Sequence, residues 1–157
     1  EPDYCEYALE LLEKAKTKGV KIHLPVDVFA GDDFSNNASQ KTFDVMEIPE
    51  GWEAMDAGPK SQTLFNDIIL GCKTILWNGP MGVFEFPNFA KGTIAAGNSI
   101  AAATKEGAFS LVGGGDSVAA VKLFGFENKM SYISTGGGAM LESLEGKTLP
   151  GIAALKK

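Results

Sequence analysis

The sequence predicts an α/β fold in which a doubly wound parallel sheet carries helices on both faces. Two observations carry that prediction. Short apolar runs alternate with amphipathic stretches of helical length, as at 74–77, 109–112 and 131–134. Two of these runs end in three glycines and a helix start: Phe109-Ser-Leu-Val-Gly113-Gly-Gly-Asp116 and Ser131-Tyr-Ile-Ser-Thr-Gly136-Gly-Gly138. Alternation at this spacing implies parallel strands joined by right-handed crossovers.

The elements follow in order. Residues 3–18 form a helix with Tyr4, Ala8, Leu11, Leu12 and Ala15 on its inner face, and Gly19 stops it. Residues 20–26, Val-Lys-Ile-His-Leu-Pro-Val, read as a short strand. Clusters of Asp, Asn, Gly and Pro make 27–60 irregular, apart from alternation over 41–48 that predicts a small strand. A helix is expected at about 60–71, with Leu64, Ile68 and Ile69 facing in. The strand at 74–77 is closed by Asn78-Gly-Pro80, and a helix then runs over about 88–105 with Phe89, Thr93, Ala96, Ile100 and Ala103 on one side. Strands at 109–112 and 131–134 and helices at about 116–124 and 138–145 complete a three-layer α/β/α, Rossmann-like unit. Such sheets bind ligands beyond the carboxyl ends of their strands, so the loops at 27–34, 78–85, 113–117 and 135–138 are expected to share one edge.

Bulk properties narrow the partners. With 157 residues, 45% hydrophobic and 22% charged, the chain can build a core. A net charge of −6 argues against nucleic acid or an anionic membrane surface. There is no apolar run of about 18 residues to span a membrane. All 14 basic residues are Lys, so any planar Arg donor for phosphoryl chemistry must come from elsewhere. Cys5 and Cys72 form no CxxC pair, which makes a reduced, cytoplasmic setting the default. The chain starts at Glu1-Pro2 without Met, and reads as a piece of something longer.

The motifs point to phosphate. Bare backbone N–H groups at a helix N-terminus, with its partial positive charge, suit an anion. In Gly113-Gly-Gly-Asp-Ser117, Asp116 is either a helix cap or a carboxylate for Mg²⁺, which takes few carboxylates plus phosphate oxygens. Ser134-Thr-Gly136-Gly-Gly138 offers hydroxyls and amides as an anion cradle, or is simply a tight strand–helix junction. The 78–85 loop, Asn-Gly-Pro-Met-Gly-Val-Phe-Glu, can present Pro80 and Val83 to a flat ring and Glu85 to sugar hydroxyls, or serve only as a connection. Gly146-Lys147-Thr148 fails as a P-loop because Leu141 stands where its first glycine belongs. No GxGxxG is present, which weighs against a dinucleotide-using reductase. His23 has no Cys or His at ligand spacing, and Asp32-Asp33 reads as a solvated turn.

Together these segments resemble phosphoglycerate kinase, over essentially the whole chain. The resemblance is carried by His23-Leu-Pro-Val-Asp-Val28, Asp56-Ala-Gly-Pro59, Ile75-Leu-Trp-Asn-Gly-Pro-Met-Gly-Val-Phe-Glu85, Phe89-Ala-Lys-Gly92, Gly113-Gly-Gly-Asp-Ser117, Ser134-Thr-Gly-Gly-Gly-Ala-Met-Leu-Glu142 and Leu144-Glu-Gly-Lys-Thr-Leu-Pro-Gly151, in that order. It implies that residues 1–157 are most of the C-terminal, nucleotide-binding domain of a two-domain monomer, with the N-terminal substrate domain lying outside this chain. It also implies the reaction: direct phosphoryl transfer between 1,3-bisphosphoglycerate and MgADP, giving 3-phosphoglycerate and MgATP in glycolysis.

The resemblance further implies roles for individual residues. Phe34, Ala54 and Met55 border the adenine; a Gly is common in the family where Ala54 stands. Pro80 and Val83 border the nucleoside, and Glu85 holds the ribose. Asn78 lies near the phosphates. Gly114, Gly115, Asp116 and Ser117 form the phosphate and Mg²⁺ turn, with Asp116 the metal residue. Gly136, Gly137 and Gly138 meet the transferring phosphoryl group through backbone N–H. The family's Gly-Gly-Ala-Lys segment with its phosphate-binding lysines, two strands from the middle of the sheet, and the catalytic Arg have no counterpart here. The isolated chain is therefore expected to be inactive, with residues 21–26 short of strand neighbours. A non-catalytic nucleotide-binding module of the same fold is the competing reading.

Overall fold

The computed structural model describes residues 2–155. After a 3-10 turn at Pro2–Tyr4 come α1 (Cys5–Thr17), β1 (Asp27–Gly31), β2 (Gln40–Asp44), β3 (Glu53–Ala57) and α2 (Pro59–Leu70). The second half runs β4 (Thr74–Trp77), α3 (Lys91–Lys105), β5 (Phe109–Val112), α4 (Gly115–Leu123), β6 (Tyr132–Ile133), α5 (Gly137–Leu144) and α6 (Pro150–Leu155).

The parallel sheet predicted from the strand–helix alternation is present as β4-β5-β6, with Thr74 opposite Phe109 and Leu111 opposite Tyr132. Its core is Ile75, Trp77, Ile100, Ala103, Val112, Val121 and Phe126. The face expected of α3 is the buried one: Phe89 just before it, then Thr93, Ala96, Ile100 and Ala103, are all buried. Leu64, Ile68 and Ile69 of α2 are half-buried, and Cys72 packs against the core. Burying an aliphatic or aromatic side chain of this kind is worth about 1.5–3 kcal/mol, which is why the helical period dominates this half.

The first half departs from expectation. Residues 21–25 form no strand, and Val20, Ile22, Leu24 and Val26 stand exposed. Period-two alternation supplies a face, but a strand needs a neighbour to take its N–H and C=O groups. Strand structure begins instead at Asp27, inside the stretch expected to be irregular. There β1 lies between β2 and β3, antiparallel to both. The small strand predicted at 41–48 is β2, while β3 and α6 carry no clear period and are not foreseen. Helix α1 forms, but its predicted inner face covers nothing: Tyr4, Leu11 and Leu12 are exposed, and no residue of α1 is buried.

Two aspartates tie strands to helices. Asp27 on β1 accepts the N–H groups of Lys60 (3.0 Å) and Ser61 (2.7 Å), capping α2 from outside its own chain segment. Asp56 on β3 accepts the N–H of Gly92 (2.7 Å) in the first turn of α3. Each carboxylate satisfies helix N–H groups that have no partner within the helix. The halves also meet where α2 packs along α3, with Ser99 Oγ donating to Asn66 Oδ1 (2.8 Å).

Candidate functional site

The carboxyl ends of β4, β5 and β6 lie side by side, because the parallel ladder continues past them. Gly113 N–H donates to Trp77 O (3.0 Å), and Ser134 N–H donates to Val112 O (2.8 Å). This register brings Asn78, the Gly113–Ser117 turn and the Ser134–Gly138 turn to one edge, as expected of three of the four loops. The fourth, 27–34, is mostly β1 itself. Its tip joins through the 80s loop, where Phe34 packs on Phe86 with ring centroids 5.2 Å apart.

At this edge Gly114 takes the N-cap position of α4, with φ +88°, a conformation natural only to glycine. Asp116 therefore sits inside the first turn rather than at the cap. Its carboxylate is exposed and makes no hydrogen bond or ion pair among the described residues. Ser117 is fully buried, and its Oγ accepts the N–H of Gly79 (2.6 Å), tying the β4 loop to α4. Asn78 Oδ1 faces Gly114 so closely that a Cβ on that glycine would lie 2.6 Å from it. A Cβ on Gly137 would lie 2.6 Å from the backbone N of Gly114, so the two triple-glycine turns touch. Between them is a hollow of about 140 Å³ lined by Gly114, Gly115, Val118, Ser134, Thr135 and Gly137.

A second cavity, of about 330 Å³, gathers Ala54, Met55, Pro80 and Val83, four residues that the family resemblance assigns to the nucleoside, together with Pro25, Val28 and Asp56. Phe34, Asn78 and Glu85 are not among its lining residues; Glu85 is exposed two positions beyond Val83. Neither cavity is lined by a lysine.

Asp56 is the residue here that sequence reasoning passes over. It is buried, and that burial raises its pKa to about 6 against the opposing N–H groups of Gly92 and Ala57. The signal lay in Asp56-Ala-Gly-Pro59, an acid just before a helix start. Asp27 behaves oppositely. Burial pushes its carboxyl up, but the hydrogen bonds from Ser61 and Lys60 outweigh it and leave the pKa below its ordinary value.

The donor set at the glycine edge suits Mg²⁺. One free carboxylate stands beside bare amides, and Mg²⁺ takes one or two carboxylates plus phosphate oxygens and water. Among the described residues no group of three or more His, Cys, Asp or Glu side chains is placed to hold a metal. Such an ion would share Asp116 with the phosphates of its ligand. No described helix is long and apolar enough to cross a membrane.

Comparison with known proteins points the same way. The family model described as phosphoglycerate kinase matches residues 1–147. The chain is 55% identical over 156 residues to the phosphoglycerate kinase of Porphyromonas gingivalis, covering 99% of this chain and 37% of the relative. To that of Gloeothece citriformis it is 56% identical over 155 residues, covering 99% and 39%. Among solved structures, it superposes on the phosphoglycerate kinase of Coxiella burnetii with a TM-score of 0.88 at 39% identity, covering 94% of this chain and 38% of that one. For the enzyme of Pyrococcus horikoshii the TM-score is 0.80 at 34% identity, covering 98% and 36%. The chain thus spans under two fifths of the length of these relatives.

Proposed function

The chain belongs to the phosphoglycerate kinase family, and from that premise we propose that residues 1–157 are the Mg-nucleotide half of a two-domain kinase. The whole enzyme transfers a phosphoryl group between 1,3-bisphosphoglycerate and ADP, giving 3-phosphoglycerate and ATP. The observation that carries this reading is the shared edge of β4, β5 and β6, where two helix N-termini border a small hollow and one of those helices carries an exposed carboxylate, Asp116, in its first turn.

In this reading the apolar walls Met55, Pro80 and Val83 take the nucleoside, with Ala54 and Phe34 at its rim. Glu85 accepts hydrogen bonds from the ribose hydroxyls. Gly114 and Gly115 offer backbone N–H groups to the nucleotide phosphates, with Asn78 beside them and Ser117 holding the turn in shape. Asp116 holds Mg²⁺, which when bound neutralises phosphate charge and orients the oxygens for in-line transfer. Gly136, Gly137 and Gly138 aim their N–H groups at the phosphoryl group as its charge redistributes. Asp116 is the carboxylate at this edge and is assigned to the metal rather than to proton transfer, which fits direct transfer governed by positioning and charge.

The chain has no Arg, and its lysines line neither cavity. The remaining cations and the glycerate-phosphate site therefore belong to the rest of the enzyme, and the 157 residues alone turn over no substrate. The test is made in the full-length protein. Asp116→Ala should cut kcat for ATP formation by ~10²-fold or more. A protein without phosphoryl transfer before or after the substitution would instead be a binding module of the same fold. Glu85→Ala should raise the nucleotide KM roughly 10-fold, as expected for one or two lost hydrogen bonds of about 1 kcal/mol each. An unchanged KM would remove Glu85 from the ribose site.

A further inference from the structure

Residues 81–83, which supply one wall of the larger cavity, are held by three different attachments. Met81 N–H donates to Thr93 Oγ1 (3.1 Å) on α3, and Val83 N–H donates to Met55 O (2.8 Å) on β3. The third attachment is a close approach. Gly82 lies on the carboxylate of Asp56 so tightly that a Cβ there would collide with Oδ1 and lie 2.6 Å from Met55 O.

The same carboxylate accepts N–H groups from Ala57 (2.8 Å) and from Gly92 (2.7 Å), and a Cβ on Gly92 would also collide with it. Two segments from later in the sequence, around Gly82 and Gly92, thus converge on one β3 side chain only 4% exposed. Glycine stands at both points where backbone comes closest. A carboxylate in this setting fixes geometry better than a neutral group, since its bonds to N–H are short and charge-assisted.

We infer that Asp56 is a positioning residue for the nucleoside cavity, setting the distance between the Ala54–Ala57 wall and the Pro80–Val83 wall. It is itself part of the cavity lining, and its role is to brace these walls rather than to supply a ligand-specific contact. The inference rests on the nucleotide reading of that cavity. It goes beyond it in giving a buried carboxylate that braces the cavity walls control over nucleotide affinity.

Asp27 provides an internal control. It caps α2 with the same chemistry, and a Cβ on Gly58 would collide with it as Gly82 would with Asp56. It does not hold the 81–83 segment.

The experiment uses the full-length enzyme, with kcat and KM measured for ADP and for the acyl phosphate. Asp56→Asn keeps the shape but puts an NH₂ group where an N–H must be accepted. It should raise the ADP KM on the order of 10-fold while leaving kcat at saturation within about two-fold. Gly82→Ala should do the same by pushing the wall outward, and it decides the matter if Asp56→Asn does not fold. Asp27→Asn should lower Tm and leave the ADP KM unchanged. Val83→Asp, aimed into the cavity, serves as the reference and should raise the ADP KM.

If Val83→Asp raises KM while Asp56→Asn and Gly82→Ala do not, the inference fails and the cavity assignment stands. If Val83→Asp has no effect on KM, the cavity is not the nucleoside site and both fail. An equal KM rise in Asp27→Asn would reduce the effect to general loss of stability and overturn the inference.

Discussion

Gly113–Gly115 and Gly136–Gly138 carry the same three letters, yet their surroundings treat them differently. In the first turn Gly114 takes φ +88° beneath Asn78 Oδ1, and Gly113 is buried where a Cβ would meet Met140. In the second, Gly136 and Gly138 face open space and none of the three has a positive φ; only Gly137 is pressed, against the backbone of Gly114. Glycine at 113, 114 and 137 is thus demanded by the protein's own packing. At 136 and 138 a Cβ costs the fold nothing, and only a ligand approaching the backbone would notice it. The first turn also carries the carboxylate, Asp116, and the second carries none. One is suited to a cation-bearing nucleotide, the other to a bare anion.

Substitutions can break this comparison, starting with the point where the turns touch. Gly137→Ala drives a Cβ into Gly114 N. It should disturb both turns at once, costing about 1–3 kcal/mol of stability and lowering both nucleotide affinity and kcat. A Tm and kcat equal to wild type would show that the turns are not in contact. A poor probe of chemistry at Gly137 is therefore a good probe of contact.

A smaller and cleaner effect is expected at Gly136→Ala and Gly138→Ala. Stability should stay within about 0.5 kcal/mol of wild type, while kcat falls more than ADP affinity if the second turn meets the moving phosphoryl group. Equal losses in kcat and ADP binding would return both turns to the nucleotide.

The smallest effect concerns the clamps beneath the edge. Asp56 has a raised pKa, about 6. The native state therefore binds a proton more tightly than the unfolded chain between the ordinary carboxylate value and about 6. Stability from this group falls as pH rises through that window and is level above it. Asp27, with its lowered pKa, contributes stability above the ordinary carboxylate value and loses it only as pH falls below. Thermal unfolding of the full-length protein should show a rise in Tm from pH 7 to pH 5 that Asp56→Asn diminishes and Asp27→Asn does not. A slope unchanged in Asp56→Asn would reject the assignment.

Legibility in the sequence followed packing. Thr74–Trp77 and Phe109–Val112 were readable from their short apolar runs, of which Ile75, Trp77 and Val112 are buried, and the Thr93, Ala96, Ile100, Ala103 stripe because its helical period coincides with its burial. Val20–Val26 has as good a period as any of them and forms no strand, because period says nothing about the presence of a partner. The face of α1 failed for the same reason. β3 was missed because Glu-Ala-Met-Asp-Ala has no strand signature and is held by β1, more than twenty residues earlier.

By itself the sequence determined the strand-to-glycine-to-helix junctions, the family, and the residue types available at the ligand edge. Those depend on local backbone preference and side-chain chemistry. Tertiary structure alone decided that the two turns touch through Gly137, that Ser117 is a pin to Gly79, and that Asp27 and Asp56 cap helices far along the chain. Each of those is a contact between segments whose approach is set by the packing of the whole core, and no local pattern encodes it.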